Sequence, residues 1–254
     1  MKPCYTLALA LTQATNRPDS YPQAGVARLR KINKLTTNIG WFMKLHFALL
    51  LASALLTGCV SGTRNVDLAP SKHTNNKTAS GQAYINFVED KRVFEAKPAS
   101  PSTPSVDGNL AKTPKDKLAT LIGRQRNGYG MAMGDVALPK SQTVQTEMKE
   151  LLKEGLESRG YTVTDNKNAP VKLDVDIEKF WAWFSPGMFS VSFEANVACK
   201  INYSDANGSK VLDVAGYGLN KGQVASDANW ALAYQRAFDD FLKNLDKKLD
   251  DAKL

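Results

Sequence analysis

Histidine is nearly absent from this 254-residue sequence. Only His46 and His73 occur, the first in an apolar segment near the N-terminus and the second in a polar stretch that follows it. Without histidine in the region that we expect to fold, Ser-His-Asp and Cys-His catalysis are disfavoured, as are zinc sites that combine histidine with cysteine. The sequence therefore favours a protein that is not an enzyme and that holds no metal and no cofactor.

Cysteine is also scarce. The sequence has three, Cys4, Cys59 and Cys199, and a single one in the C-terminal region cannot build a disulfide framework within one chain. Cys199 has the inward-facing parity of a predicted strand. We therefore expect it to be a buried small hydrophobic side chain and not a reactive thiol.

The positive charge is concentrated near the N-terminus. Residues 1–58 contain seven of the 33 basic residues and one of the 25 acidic residues, so they carry +6 of the formal net charge of +8. The rest of the chain is close to neutral and has no overall attraction for phosphate groups. A nucleic-acid partner is therefore not expected.

No apolar run is long enough to span a bilayer, which takes about 20 residues. The longest candidate, residues 47–56, follows the basic Lys44 and ends at the small, polar Thr57 and Gly58. A short basic segment, a short apolar segment and a small-residue cleavage site are together typical of a secretory signal peptide. We assign this signal peptide to residues 43–58. Residues 1–42 are not signal-like, and either translation begins at Met43 or the signal has an unusually long N-terminal region.

The end of the signal resembles the lipobox of bacterial lipoproteins. Leu56, Thr57 and Gly58 would be read by the signal peptidase, and Cys59 would carry the lipid. This resemblance implies diacylglycerol on the Cys59 thiol, cleavage after Gly58 and acylation of the new N-terminus, with palmitate among the usual acyl chains. Two or three acyl chains anchor a protein stably. The next residue is Val60 and not the aspartate that retains such proteins in the inner membrane, so the resemblance implies the outer membrane with the domain in the periplasm.

Residues 59–82 are polar and show no periodicity, so we predict a flexible tether. A single globular domain is then expected over residues 83–254. It would begin with a strand at 83–88, followed by a proline-rich loop at 95–116, a strand at 118–123 and an irregular glycine-rich segment at 127–134.

Two amphipathic helices and a three-strand meander follow. The first helix would be capped by Ser141 or Thr143 and would end at Gly160, before a short strand at 161–163. The meander occupies residues 171–219, and its period-two alternation indicates one buried and one solvated face. A final helix would start at Ser226 or Asp227. We predict an α+β fold, with a two-layer antiparallel sheet and both amphipathic helices packed on one face.

Alternation fails where the first two strands of the meander meet, because aromatic residues occupy both parities. Either the domain covers both faces there, or the aromatics form an exposed surface for a partner or for the membrane interface. The candidate partner surface comprises Phe180, Trp181, Trp183, Phe184, Met188 and Phe189.

The acidic residues of the predicted strands and of the last helix are interpreted as a solvated face. They are Asp174, Asp176, Glu178, Asp239 and Asp240. A carboxylate-based hydrolase would need two of them facing each other in a pocket. The glycines at 128, 130 and 134 do not have the G-x-G-x-x-G spacing and are more typical of an unusual loop path.

Behind the lipobox, the chain resembles the YajG-like lipoproteins of Gram-negative bacteria over about residues 80–250. The resemblance rests on the run Asp90-Lys91-Arg92 after the first strand, on residues 154–163, and on the meander and terminal helix that follow. It implies an envelope location and an α+β domain, but no catalytic residue. The sequence thus favours a lipid-anchored periplasmic protein that binds another envelope component. The alternatives are an accessory lipoprotein of a transport or cell-wall assembly complex and, less favoured, the carboxylate hydrolase.

Overall fold

The computed structural model of the chain describes residues 62–69, 71–75, 81–127, 129, 131–187, 190–222 and 226–254. Its strands are β1 (Arg64–Asn65), β2 (Gly81–Asp90), β3 (Leu121–Arg126), β4 (Ala132–Ala137), β5 (Tyr161–Val163), β6 (Val171–Pro186), β7 (Val191–Asp205) and β8 (Gly208–Gly222). Its helices are α1 (Lys115–Thr120), α2 (Val144–Ser158) and α3 (Asp227–Asp251), with a 3-10 turn at Leu110–Lys112.

The two long helices begin and end where local sequence signals place them. Thr143 caps α2, since its hydroxyl accepts a hydrogen bond from the Thr146 backbone while the Thr146 side chain bonds back to Thr143. Gly160 follows the helix with a φ of 99°, a conformation that favours glycine. Ser226 caps α3 by accepting from the backbone of Asn229. These predicted boundaries are confirmed.

All eight strands belong to one mixed sheet, so the purely antiparallel arrangement is wrong. The meander β6–β7–β8 is antiparallel as expected. On its other edge, however, β6 pairs in parallel with β2 along its first half and with β3 at Ala182. The sheet therefore forks at β6, with β2 and β5 on one branch and β3, β4 and β1 on the other. Long-range parallel pairing leaves no local sequence signal, which explains the difference.

The structure differs from the sequence-based prediction at three further places in the first half of the domain. Residues 115–120 form α1, and the strand predicted at 118–123 begins only at Leu121. The segment predicted as irregular, 127–134, includes the first residues of β4, which pairs with β3 as a hairpin. Residues 62–69 and 71–75 of the predicted flexible tether pack on the domain, where Val66 and Leu68 are buried. Val66 and Leu68, at alternate positions, place apolar side chains in the core, which favours docking of this segment.

One hydrophobic core lies between the sheet and the long helices. It receives side chains from β6, β7, β8, α2 and α3. A second, smaller cluster covers the opposite side of β6 and is formed by Val106, Leu121, Ala137 and Trp181, with Phe94, Leu110, Leu118 and Trp183 packed against it. Within the described residues, no helix is both long and apolar enough to cross a membrane.

Helix α3 lies directly on the last strand. A Cβ at Gly216 or Gly218 would overlap the carbonyl oxygens of Ala237 and Ala233, so these glycines permit the close approach. At this distance, helix side chains can reach the backbone of β8: Asp240 accepts from the Tyr217 backbone at 3.0 Å. The edge of the sheet formed by β8 is thereby covered, which protects this edge from pairing with other chains.

Candidate functional site: an acidic cavity beside the N-terminal segment

The aromatic residues of the β6–β7 hairpin are mostly buried. Phe180 stacks on Tyr234 with ring centroids 5.2 Å apart. Trp181 points to the other face of the sheet, is 1% exposed, and donates from its indole to the carbonyl of Pro101 at 3.2 Å. The ring of Phe94 meets it edge-on at 5.9 Å.

The candidate partner surface is therefore wrong for Phe180, Trp181 and Phe184, all of which are buried. Alternation fails here because α3 covers one face of β6 and the proline-rich loop covers the other. Trp183 is half-buried at the margin of the smaller cluster. Met188 and Phe189 lie outside the described residues, as do Leu56, Thr57, Gly58 and Cys59.

Cys199 is buried in the core, as predicted, and burial raises the pKa of its thiol. Asp174 and Asp176 are half-exposed and Glu178 is exposed on the outer side of the sheet. No described group of three or more histidine, cysteine or acidic side chains is arranged to hold a metal ion.

A cavity of about 530 Å³ lies where the N-terminal segment crosses helix α2. This volume is within the range of small-molecule sites, about 300–1,000 Å³. Its apolar wall consists of Leu68, Leu151 and Phe238. Its polar lining comprises Asp67, Ser71, Lys72, Gln142, Glu147, Glu150, Lys153, Glu154 and Glu157.

Glu154 fastens the N-terminal segment over the cavity. Its carboxylate accepts a hydrogen bond from the backbone of His73 at 2.8 Å and from the Lys72 ammonium at 3.2 Å. Further along, the Asn75 amide donates to Asp246 on α3 at 2.7 Å. Because Asp67, Leu68 and Ser71 of this segment line the cavity, the cavity is complete only when the segment is docked.

The cavity is acidic. Five carboxylates and two lysines line it. This excess of negative charge contributes to a raised pKa at Glu147. Burial, with additional repulsion from Asp67 and Glu150, raises the pKa of Glu147 to about 7. A group with this pKa exchanges its proton near neutral pH, so a positive charge in the cavity would favour its ionised form.

Two polar atoms of the cavity wall are buried without a hydrogen-bond partner among the described residues. They are Oγ of Ser71, a residue that is 4% exposed, and Oε1 of Gln142. A buried polar atom without a partner costs about 1–3 kcal/mol. A ligand that donates hydrogen bonds would remove this cost. The two acceptor atoms and the surplus of carboxylates are complementary to a positively charged group with N–H donors.

Sequence reasoning missed this site because it assigned the N-terminal segment to a flexible tether. The helix residues Glu147, Glu150 and Glu154 read as an ordinary solvated face, since they fall on the polar side of α2. The alternate apolar residues Val66 and Leu68 were the available signal.

Residues 125–245 match the model of a family described as an uncharacterized lipoprotein, which confirms the predicted resemblance. No curated protein matches the chain. A crystal structure of a protein from Xanthomonas campestris is similar at 12% identity and a TM-score of 0.43, over 76% of this chain and 99% of that one. A hypothetical protein from Chlamydia trachomatis is similar at 11% identity and a TM-score of 0.30, over 67% of this chain and 98% of that one.

Proposed function

We propose that this chain, which belongs to the family of uncharacterized lipoproteins matched by its residues 125–245, is held to the outer membrane by lipid on Cys59 and binds an organic cation in its periplasmic domain. Binding, without catalysis, is the proposed role. The family supports a lipoprotein and an envelope location. The lipobox-like segment at residues 56–59 supports the lipid anchor. Valine and not aspartate at position 60 supports the outer membrane.

The unpartnered hydroxyl of Ser71 carries the binding proposal. It is buried in the wall of the cavity that Gln142 and Glu147 also line. Native proteins satisfy nearly all buried polar groups, so an exception of this kind indicates a missing partner. All three groups can accept a hydrogen bond from the same kind of ligand.

The chemistry of the walls defines the ligand class as an aliphatic ammonium. The carboxylates and the two oxygens would receive the N–H groups, while Leu68, Leu151 and Phe238 would contact a hydrocarbon portion. A bare metal ion suits the site less well, because the described carboxylates do not converge on one point. The ammonium can come from a soluble amine or from a lysine side chain of another envelope protein.

Calorimetric titration of the purified protein with spermidine tests this proposal. We expect saturable binding that Glu147→Gln and Ser71→Ala weaken, while Glu178→Gln, on the outer side of the sheet, leaves it unchanged. A lysine-containing peptide titrated in parallel distinguishes the two sources of the ammonium. Equal binding of spermidine by all the variants, or no binding of either probe, would contradict the proposed role.

A further inference from the structure

The chain enters the domain beside the tip of the β3–β4 hairpin. Strand β1 runs parallel to β4, with Arg64 opposite Val136. Following β1 backwards from Arg64 therefore leads towards the start of β4 and the hairpin tip. The carbonyl oxygen of Gly62 accepts a hydrogen bond from the Gln125 side chain at 3.1 Å. The same oxygen lies so close to Gly134 that a Cβ atom on residue 134 would overlap it.

Gly62 follows Cys59 by only three positions in the sequence. A chain extends by at most about 3.6 Å per residue, so Gly62 lies within about 11 Å of the proposed lipid attachment. A freely mobile tether over residues 59–82 would have let the domain take any orientation relative to the membrane. A docked segment restricts the orientation of the domain. Because Gly62 is so near the proposed lipid attachment, the end of the domain that carries Gly62 must stay next to the bilayer.

The hairpin tip presents apolar side chains to solvent at this same end. Tyr129 is 92% exposed and Met131 is 61% exposed. Asn127 holds the turn, since its side-chain oxygen accepts from the backbones of both Tyr129 and Met131 at 3.0 Å. Its own backbone donates to the Met131 carbonyl at 2.9 Å. The turn is thus closed by its own bonds, with the two side chains directed outward.

Basic side chains lie next to the tip. Lys97, Arg124 and Arg126 line a shallow cavity of about 320 Å³ together with Ala132, the first residue of β4. Arg124 is paired with Asp107 at 2.8 Å. Burial, with additional repulsion from Arg124, lowers the pKa of Arg126.

We propose that the β3–β4 hairpin tip is the surface on which the domain rests on the membrane, with Tyr129 and Met131 among the lipid headgroups and with Lys97 and Arg126 facing their phosphates. This inference rests on the proposed anchoring at Cys59. Tyrosine is enriched at membrane–water interfaces because its ring is apolar and its hydroxyl is polar. Basic residues near an anionic surface add electrostatic attraction.

Site-specific fluorescence on the full, lipidated chain tests the inference. An environment-sensitive dye is attached to Tyr129→Cys and, as a matched control, to Val211→Cys. Val211 is also well exposed but lies on the distant part of β8, and the buried Cys199 should not react. Each protein is reconstituted into phosphatidylethanolamine–phosphatidylglycerol vesicles that contain a headgroup-linked quencher.

We expect the dye at position 129 to shift to shorter wavelength and to lose most of its emission to the quencher, while the dye at 211 changes little. If the protein floats with the vesicles but the dye at 129 behaves like the dye at 211, the inference is overturned and the anchor stands. If the protein does not float with the vesicles, the proposed anchoring itself fails, and the inference fails with it.

Discussion

Arg92 Nη1 lies 2.9 Å from the carbonyl oxygen of Phe180 and donates to it from within the fork of the sheet. The same nitrogen donates to Leu121 at 2.6 Å, while Nη2 donates to Leu118 at 2.9 Å. Asp90 holds the guanidinium through two further hydrogen bonds of 2.8 Å. One buried arginine thus supplies donors to carbonyls at the point where β2 and β3 separate along the edge of β6.

We expect Arg92→Ala to lower the free energy of unfolding by about 3–5 kcal/mol, because it leaves a largely buried carboxylate and three carbonyls without their donor. Urea denaturation followed by circular dichroism measures the effect. Lys91→Ala is the matched control, since Lys91 forms only an exposed ion pair with Glu89. Equal stability of the two variants would contradict the role given to Arg92.

The contact between α3 and β8 predicts that Gly218→Ala destabilises the domain by about 3 kcal/mol, because overpacking forces the helix away from the strand. We further expect faster hydrogen exchange at the Tyr217 amide, whose bond to Asp240 depends on the close approach. Ala215→Ser, at an exposed position of the same strand, should change neither property. Unchanged exchange in the glycine variant would show that α3 does not set this edge.

The side chain of Trp181 is almost fully buried. We therefore expect Trp181→Ala to lower the free energy of unfolding by about 3–5 kcal/mol, as is usual for large core aromatics. Thermal denaturation is a suitable measurement. Val93→Ala, which truncates an exposed side chain of the neighbouring loop, is the control. A stable Trp181→Ala variant would revive the hypothesis of a partner surface at this hairpin.

The pKa of Glu147, raised to about 7, predicts a pH dependence of ligand binding. A bound ammonium favours the ionised carboxylate, so the affinity for spermidine should rise as the pH increases through 7 and level off above it. Calorimetry on both sides of this pH measures the change, and Glu147→Gln should abolish it. An affinity that falls with rising pH would have the wrong sign.

The same pKa affects stability. The folded state holds the Glu147 proton more tightly than the unfolded state, whose pKa is the ordinary 4.5. Between these two values the free energy of unfolding should therefore decrease as the pH rises, because the carboxyl must ionise inside an acidic cavity. Glu147→Gln should remove this part of the dependence. Denaturation curves of the two proteins at pH values between about 4.5 and about 7 provide the comparison.

Local sequence signals predicted the elements of this fold better than their pairing. Alternation located the meander, and the caps at Thr143 and Ser226 located the long helices, because these signals act within a few residues. The fork of the sheet joins β6 to β2, about 90 positions away, and to β3, about 60 positions away. Nothing within β2 or β3 indicates that both pair with the same edge of β6.

The candidate site was hidden for a related reason. The burial of Val66 and Leu68 depends on surfaces formed by distant parts of the chain, and a short polar segment with two apolar residues is equally compatible with a flexible linker. The aromatic hairpin shows the opposite error. Phe180 and Trp181 interrupt the alternation because both faces are covered, and the sequence alone left burial and exposure open.

The intact mass of the protein extracted from membranes, measured beside a Cys59→Ala variant, shows whether Cys59 carries lipid. We expect a chain that begins at Cys59 and carries the added mass of acyl chains, and a variant that lacks both the cleavage and the added mass. An unmodified mass that retains residues 1–58 would contradict the lipid anchor, and with it the placement of the hairpin tip on the membrane.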